Sequence, residues 1–324
     1  MKWKLICTFC IICFIAAQSF NLHTTGLQDV NTVLSPKLSD FQIYSGKVSD
    51  LTPAEGFIKY ELAAPLFTDY AEKERLIKVP AGTSIGIAGD GLPSFPNGTM
   101  LVKTFFYWKD KRDPAKGKRI IETRLLIKAN EGWLAGTYVW NNEQNEAVLT
   151  NSGLKTGVNW IDKNGEEKNI NYQVPTIKQC GTCHNSQNEI IPIGFKIRNL
   201  NITVTRNNIA TNQLQYFAGL GIANAVNPLS LSKLPSWNDD SFTPEQRVRA
   251  YLEVNCAHCH NNNGFCSASD FRPAYENSLS DSKILEKRKR IVRFIRSGRM
   301  PLLGTTIVHQ EGLQLIENYL NTLK

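Results

Sequence analysis

A chain of 324 residues, 42% hydrophobic and 20% charged, has an ordinary globular composition with apolar material for two or three domains. It has no internal repeat and no long low-complexity tract, which excludes a solenoid or a disordered array. The formal charge of +8 lies partly at the extreme N-terminus and partly in one later run, and no basic-aromatic module accompanies it, so nucleic acid is a poor partner.

Residues 1–19 read as a secretory signal. Lys2 and Lys4 form a positive start, Leu5 to Ala17 an apolar stretch, and Ala17-Gln18-Ser19 a small-residue cleavage site after Ser19, with cleavage after Ala17 as the rival. The apolar run is shorter than the roughly 20 residues of a spanning helix, which disfavours an uncleaved anchor. Cleavage would also remove Cys7, Cys10 and Cys13, leaving Cys180, Cys183, Cys256, Cys259 and Cys266. The expected location is therefore periplasmic.

Residues 20–40 read as a polar lead-in. Residues 41–175 read as a β-rich domain with a sandwich or jelly-roll-like sheet pair. Short β-branched and aromatic runs recur at Ile58 to Leu62, Arg75 to Val79, Leu101 to Trp108, Ile120 to Ile127, Trp133 to Trp140 and Val158 to Ile161. Asn164-Gly165 marks a hairpin. Residues 176–240 read as a first haem-binding segment with a helix over Asn208 to Leu220. Residues 241–324 read as a mainly α, cytochrome c-like domain. In it, Thr243-Pro-Glu-Gln246 starts one helix, residues 283–297 form a second, and Leu313, Ile316, Leu320 and Leu323 mark a third. The expected class is thus α+β and multidomain.

Two strings carry the chemistry: Cys180-Gly-Thr-Cys183-His184 and Cys256-Ala-His-Cys259-His260. Both fit C-x-x-C-H, the c-type haem attachment signature, in which the cysteines form thioethers to the vinyl groups and the histidine ligates the iron. Two covalently bound haems are therefore expected, with His184 and His260 as proximal ligands. A Cys₄ zinc centre is the first rival, but it leaves both trailing histidines unexplained. Disulfide or thiol exchange is the second.

Met300, in Gly298-Arg-Met-Pro-Leu302 before the last helix, is the expected sixth ligand of the second iron. The first iron has no obvious partner. His309 is the best candidate, and Met100 reads more simply as core. His258 is expected to face outward or cap backbone, His23 falls in the lead-in, and Cys266 reads as an inert buried thiol. Lys283, Lys287, Arg288, Lys289, Arg290, Arg293, Arg296 and Arg299 form a basic run. It is either a solvated helix face or a docking patch, near 283–299, for an acidic redox partner. No catalytic constellation is evident. Glu61, Asp69, Glu122 and Arg124 read as surface or ion-pair residues.

The sequence resembles a family of bacterial dihaem c-type cytochromes that join an N-terminal β-rich region to two C-x-x-C-H motifs. The resemblance covers roughly residues 38–323. It rests on Ala64-Pro-Leu-Phe-Thr-Asp-Tyr-Ala71, Lys103-Thr-Phe-Phe-Tyr107, Ile121-Glu-Thr-Arg-Leu-Leu126, Gly136-Thr-Tyr-Val-Trp-Asn141 and Tyr172-Gln-Val-Pro175. It continues through Asn212-Gln-Leu214, Arg249-Ala-Tyr-Leu252, Asn255-Cys-Ala-His-Cys-His-Asn261 and Met300-Pro-Leu-Leu-Gly304. The resemblance implies two covalent haems, His184 and His260 as proximal ligands, Met300 as a distal one, and periplasmic electron transfer. The stretch between Asn261 and Met300 is shorter here than the family's usual glycine-rich insert. Two alternatives accompany this reading: a dihaem peroxidase-like oxidoreductase with an open first haem, and a secreted structural zinc-binding protein.

Overall fold

The structure, a computed structural model, describes residues 34–130, 132–187 and 189–323. The expected signal segment, His23 and most of the lead-in lie outside the described residues. Fold content is mixed, with an antiparallel sheet rich in β-branched and aromatic residues and a set of helices after it.

Six strands form one antiparallel sheet in sequence order: β1 (Ile58–Lys59), β2 (Glu72–Lys78), β3 (Met100–Trp108), β4 (Lys118–Ala129), β5 (Gly132–Trp140) and β6 (Ala147–Leu149). Each strand pairs with its neighbour in the chain, so the sheet is a meander without the crossovers of a jelly roll. The hairpin of β7 (Leu154–Ile161) and β8 (Glu167–Val174) turns through Asn164 and Gly165, where Gly165 takes φ +87°.

Alternation sends the two faces of the sheet to different cores. Leu76, Val102, Phe106, Leu125, Tyr138 and Trp140 pack beneath Leu38, Ile43, Leu51 and Phe57, and Met100 joins them. On the other face, Ile77 and Leu101 pack against Phe195, Ile197, Leu200, Leu214 and Phe217. Farther along that face, Phe105 and Tyr107 pack against Val158, Trp160, Ile170 and Tyr172 of the β7–β8 hairpin. Between these two apolar patches the register places Arg75 beside Lys103, Lys103 beside Arg124 and Arg124 beside Thr137.

The segment after the sheet holds α1 (Ile177–Cys183), the short pair β9 (Asn185–Ser186) and β10 (Glu189–Ile190), and α2 (Ile197–Leu200). A second hairpin, β11 (Thr203–Arg206) and β12 (Ile209–Asn212), precedes α3 (Gln213–Gly219). The helix expected over Asn208 to Leu220 is therefore shorter. Asn207 and Asn208 both take positive φ, the geometry of a tight hairpin turn, and commit the next four residues to a strand.

Helices α4 (Pro244–Cys256), α5 (Ile284–Arg296) and α6 (Gln310–Thr322) enclose a third core of Val248, Tyr251, Leu252, Ile291, Ile295, Leu313 and Ile316. Thr243 and Gln246 form the expected reciprocal cap on α4. Gly312 is required where α6 meets α4, because a Cβ there would lie 2.4 Å from the Tyr251 ring. No helix among the described residues is long and apolar enough to cross a membrane.

Candidate functional site

Helix α4 ends in the second motif. Cys256 is its last residue, and its carbonyl accepts hydrogen bonds from the backbone N–H of Cys259 (3.1 Å) and of His260 (3.0 Å). This turn puts Cys256, Cys259 and His260 on one cavity of about 330 Å³. Its other walls include Phe271, Ile291, Phe294, Ile295 and Met300. Met300 is set there by the end of α5: Gly298 takes φ +67°, and the N–H groups of Arg299 and Met300 both donate to the Phe294 carbonyl. The His260 ring stands edge-on to Phe271 at 5.1 Å, and its Nδ1 is buried without a protein partner. Phe265 and Leu302 line the same cavity and remain more than half exposed, at 58% and 57%. An apolar chamber with a histidine, a thioether sulfur and two attachment cysteines on its walls fits a haem.

The first motif rides on α1. Thr176 and Gln179 cap that helix reciprocally, and β8 delivers the chain to it in extended form through Val174. The helix lies against the sheet, where the Cys180 Sγ is 3.8 Å from the Thr137 hydroxyl. His184 Nδ1 lies 2.8 Å from the Ile191 carbonyl and donates to it, which leaves Nε2 as the free ring nitrogen. Burial, reinforced by Lys103 and Arg124, pushes His184 down to about 3. The cavity that Cys180 and His184 share with the sheet measures about 40 Å³, too small for a porphyrin. The residues of the first motif therefore do not fit a haem in this arrangement, and no chemistry is derived through one there.

The two motifs meet. The ligand atoms of Cys183, His258 and Cys259 lie within 4.8 Å of one another, and Cys183 also lines the second motif's cavity. His258 was expected to point outward or cap backbone; it faces these two sulfurs instead. The nearby Cys259 and His258 side chains favour the Cys183 thiolate and hold its pKa below the usual thiol range. Nothing in the spacing of the motifs signals this contact, which depends on α1 and α4 converging. Cys266 is half-buried on the same cavity, and burial pushes its thiol up.

His309 lies on the other side of Met300, away from His184. It shares a neighbouring cavity with Met300, stacks on Phe67 at 4.1 Å and meets Trp237 edge-on at 4.9 Å. Its Nδ1 accepts from the Tyr251 hydroxyl (3.1 Å), and Nε2 faces Glu311 at 3.5 Å. Burial holds His309 down to about 4, against an ordinary value of 6.5. The unfolded chain takes up this proton near pH 6.5 and the folded chain only near pH 4. Stability linked to His309 is therefore present above pH 6.5 and falls as pH drops from about 6.5 to about 4. Equilibrium denaturation of His309→Phe should show a shallower loss over that window than the wild type. Equal slopes would defeat the assignment.

The basic run occupies the exposed side of α5 and the turn after it. Lys283, Lys287 and Arg296 are paired with Glu286, Asp270 and Glu317. Arg290, Arg293 and Arg299 instead surround the Phe294 ring at 5.2, 5.5 and 5.9 Å, on the wall of the second motif's cavity. Asp69 and Glu122, expected as surface or simple ion-pair residues, are 1% and 0% exposed. Glu122 accepts from Arg124 and from the Tyr172 hydroxyl. Asp69 anchors the loop beyond Met300, accepting from the N–H and hydroxyl of Thr306 and the N–H of Ile307. Compared with family models, with curated proteins and with solved structures, the chain matches none.

Proposed function

We propose that the chain is an exported c-type cytochrome that holds a haem at its second motif and passes electrons between redox partners. The observation that carries this reading is the single apolar cavity onto which Cys256, Cys259, His260 and Met300 all open. A haem bound there supplies a one-electron iron couple. The protein's own part is to hold that group. Cys256 and Cys259 attach it, His260 offers a ring nitrogen, and Met300 presents its sulfur from the loop that Asp69 anchors. Phe271, Ile291 and Phe294 keep water from the chamber, which favours the less charged state of whatever couple it encloses.

Arg290, Arg293 and Arg299 form a basic rim beside the half-exposed Phe265 and Leu302. A charged rim around an apolar mouth suits brief docking of an acidic partner, with electrostatics raising the encounter rate. Cys180, Cys183 and His184 repeat the attachment signature, but their cavity of about 40 Å³ does not fit a porphyrin, so the reading rests on the second motif.

A pyridine haemochrome spectrum of the full-length chain, made where c-type haem is attached, tests this directly. One covalent haem per chain is expected, lost in Cys256→Ala and kept in Cys180→Ala. A haem lost in Cys180→Ala would move the reading to the first motif, and none would defeat it. The Cys183–His258–Cys259 cluster supports a second reading, a soft-metal site such as zinc. That reading expects about one zinc per chain and no haemochrome, because a thioether sulfur is no longer a thiolate.

A further inference from the structure

Each motif sends its two cysteines in different directions. In the first, Cys180 faces the sheet, with its Sγ 3.8 Å from the Thr137 hydroxyl, while Cys183 faces the second motif's chamber. In the second, Cys256 packs against the core of α4, α5 and α6, while Cys259 meets Cys183. The sulfurs of Cys183 and Cys259 and a ring nitrogen of His258 lie within 4.8 Å of one another, although one cysteine ends α1 and the other lies in the turn after α4.

Backbone contacts hold this approach. Just beyond the first motif, the Gln187 N–H donates to the Asn263 carbonyl just beyond the second, at 3.4 Å. Asn261 fixes the second motif's turn: its Nδ2 donates to the carbonyls of Ala257 (2.9 Å) and His258 (3.0 Å). The chain then folds back at Gly264, where a Cβ would lie 2.6 Å from the Cys259 carbonyl oxygen. That oxygen accepts from the Cys266 N–H at 2.9 Å. The two thiols are thus held together by contacts that do not involve their sulfurs.

Cys183 has no thioether to form, because the first motif's cavity of about 40 Å³ does not fit a porphyrin. Cys183 and Cys259 are both half-buried, so a small reagent reaches them while the fold keeps them adjacent. A disulfide draws two sulfurs to about 2.05 Å, and the gap that remains is of the size a change of χ1 rotamer spans.

We propose that Cys183 and Cys259 form a disulfide between the two motifs in the haem-free chain, and that Cys183 thereby competes with haem for the Cys259 sulfur. The competition rests on the cytochrome reading; the disulfide does not. The oxidant is a second disulfide. The Cys183 thiolate attacks one of its sulfurs, which gives a mixed disulfide and releases one thiol. The Cys259 thiolate then attacks the Cys183 sulfur, and the second thiol leaves. The two cysteines lose two electrons and two protons, and the oxidant takes up both and ends as two thiols. A dithiol runs the exchange backwards. A sulfur held in this bridge cannot add to a vinyl group, and a thioether sulfur cannot exchange, so each fate of Cys259 excludes the other.

The test is peptide mapping of the full-length haem-free chain, oxidised with hydroxyethyl disulfide, quenched in acid and digested with trypsin without reduction. No lysine or arginine separates Cys180 from Cys183, or Cys256 from Cys259 and Cys266, so each motif stays on one peptide. The two peptides should be joined. The junction is lost in Cys183→Ser and Cys259→Ser and kept in Cys180→Ser and Cys256→Ser. In guanidinium it gives way to pairs within each motif, because short loops close more readily than the long one between the motifs. A junction that survives in Cys183→Ser, or native oxidation confined to pairs within one peptide, overturns the proposal. So do thiols that all stay free. Should Cys183→Ser fail to fold, Cys183→Ala repeats the comparison. In cells that attach c-type haem, Cys183→Ser should carry more covalent haem than the wild type in hydroxyethyl disulfide and an equal amount in dithiothreitol. Equal haem in both media overturns the competition. No haem in either chain in dithiothreitol defeats the cytochrome reading and the competition with it, while the disulfide stands or falls on the peptide map.

Discussion

Met300→Ala should abolish the weak near-infrared charge-transfer band of a methionine-ligated ferric haem while leaving covalent haem content unchanged. Attachment depends on Cys256 and Cys259, which the substitution does not touch. No second methionine is at hand. Among the described residues the other methionine, Met100, packs against the core on the far side of the sheet. His309, which lines the neighbouring cavity, is held by Tyr251 and Glu311 and wedged against Phe67. The iron is therefore expected to turn high-spin. Its midpoint potential should fall by about 0.1 V or more, a fraction of the roughly 0.8 V range that axial ligands span. Potentiometry with near-infrared detection reads both quantities. A band that survives in Met300→Ala would remove Met300 from the ligand set.

Asp69→Ala should produce the largest loss of stability among the single changes considered. Asp69 is almost fully buried, and both it and Tyr70 take positive φ, at 49° and 61°, which turns the chain so that the carboxylate meets the loop after Met300. Removing the side chain orphans the Thr306 N–H, the Thr306 hydroxyl and the Ile307 N–H together. Thr306 is exposed and Ile307 half-buried, so water takes over part of what is lost. The expected total is on the order of 2 kcal/mol, or a Tm lower by roughly 3–5 °C. The same change frees the loop that carries Met300, so the near-infrared band should weaken in step. A Tm within about 2 °C of wild type would show that the loop is held by other contacts.

Much of the local structure was legible because it rests on neighbours in the chain. Thr243-Pro-Glu-Gln246 announces α4, Asn164-Gly165 announces the β7–β8 turn, and the β-branched runs announce the strands of the sheet. Two further local signals stand in the sequence. Thr176-Ile-Lys-Gln179 is a capping box for α1. The Asn207-Asn208 pair is a hairpin turn that shortens the expected helix. Periodicity does not encode strand order, and in place of the expected jelly-roll-like topology short sequential connections make a meander.

The residues that would hold a haem are a matter of spacing: three positions set the turn that brings two sulfurs and an imidazole together, and any chain with C-x-x-C-H presents them. What surrounds them is a matter of distant segments. Tertiary packing gives the second motif an apolar chamber and presses the first against the sheet. It also brings Cys183 to His258 and Cys259, and sets the buried Arg75 and the half-buried Lys103 and Arg124 from three strands in one row. Charges on successive strands look like ordinary exposed residues until register and burial put them on the same covered face. There, partial loss of water makes the pairing of Arg124 with the buried Glu122 matter.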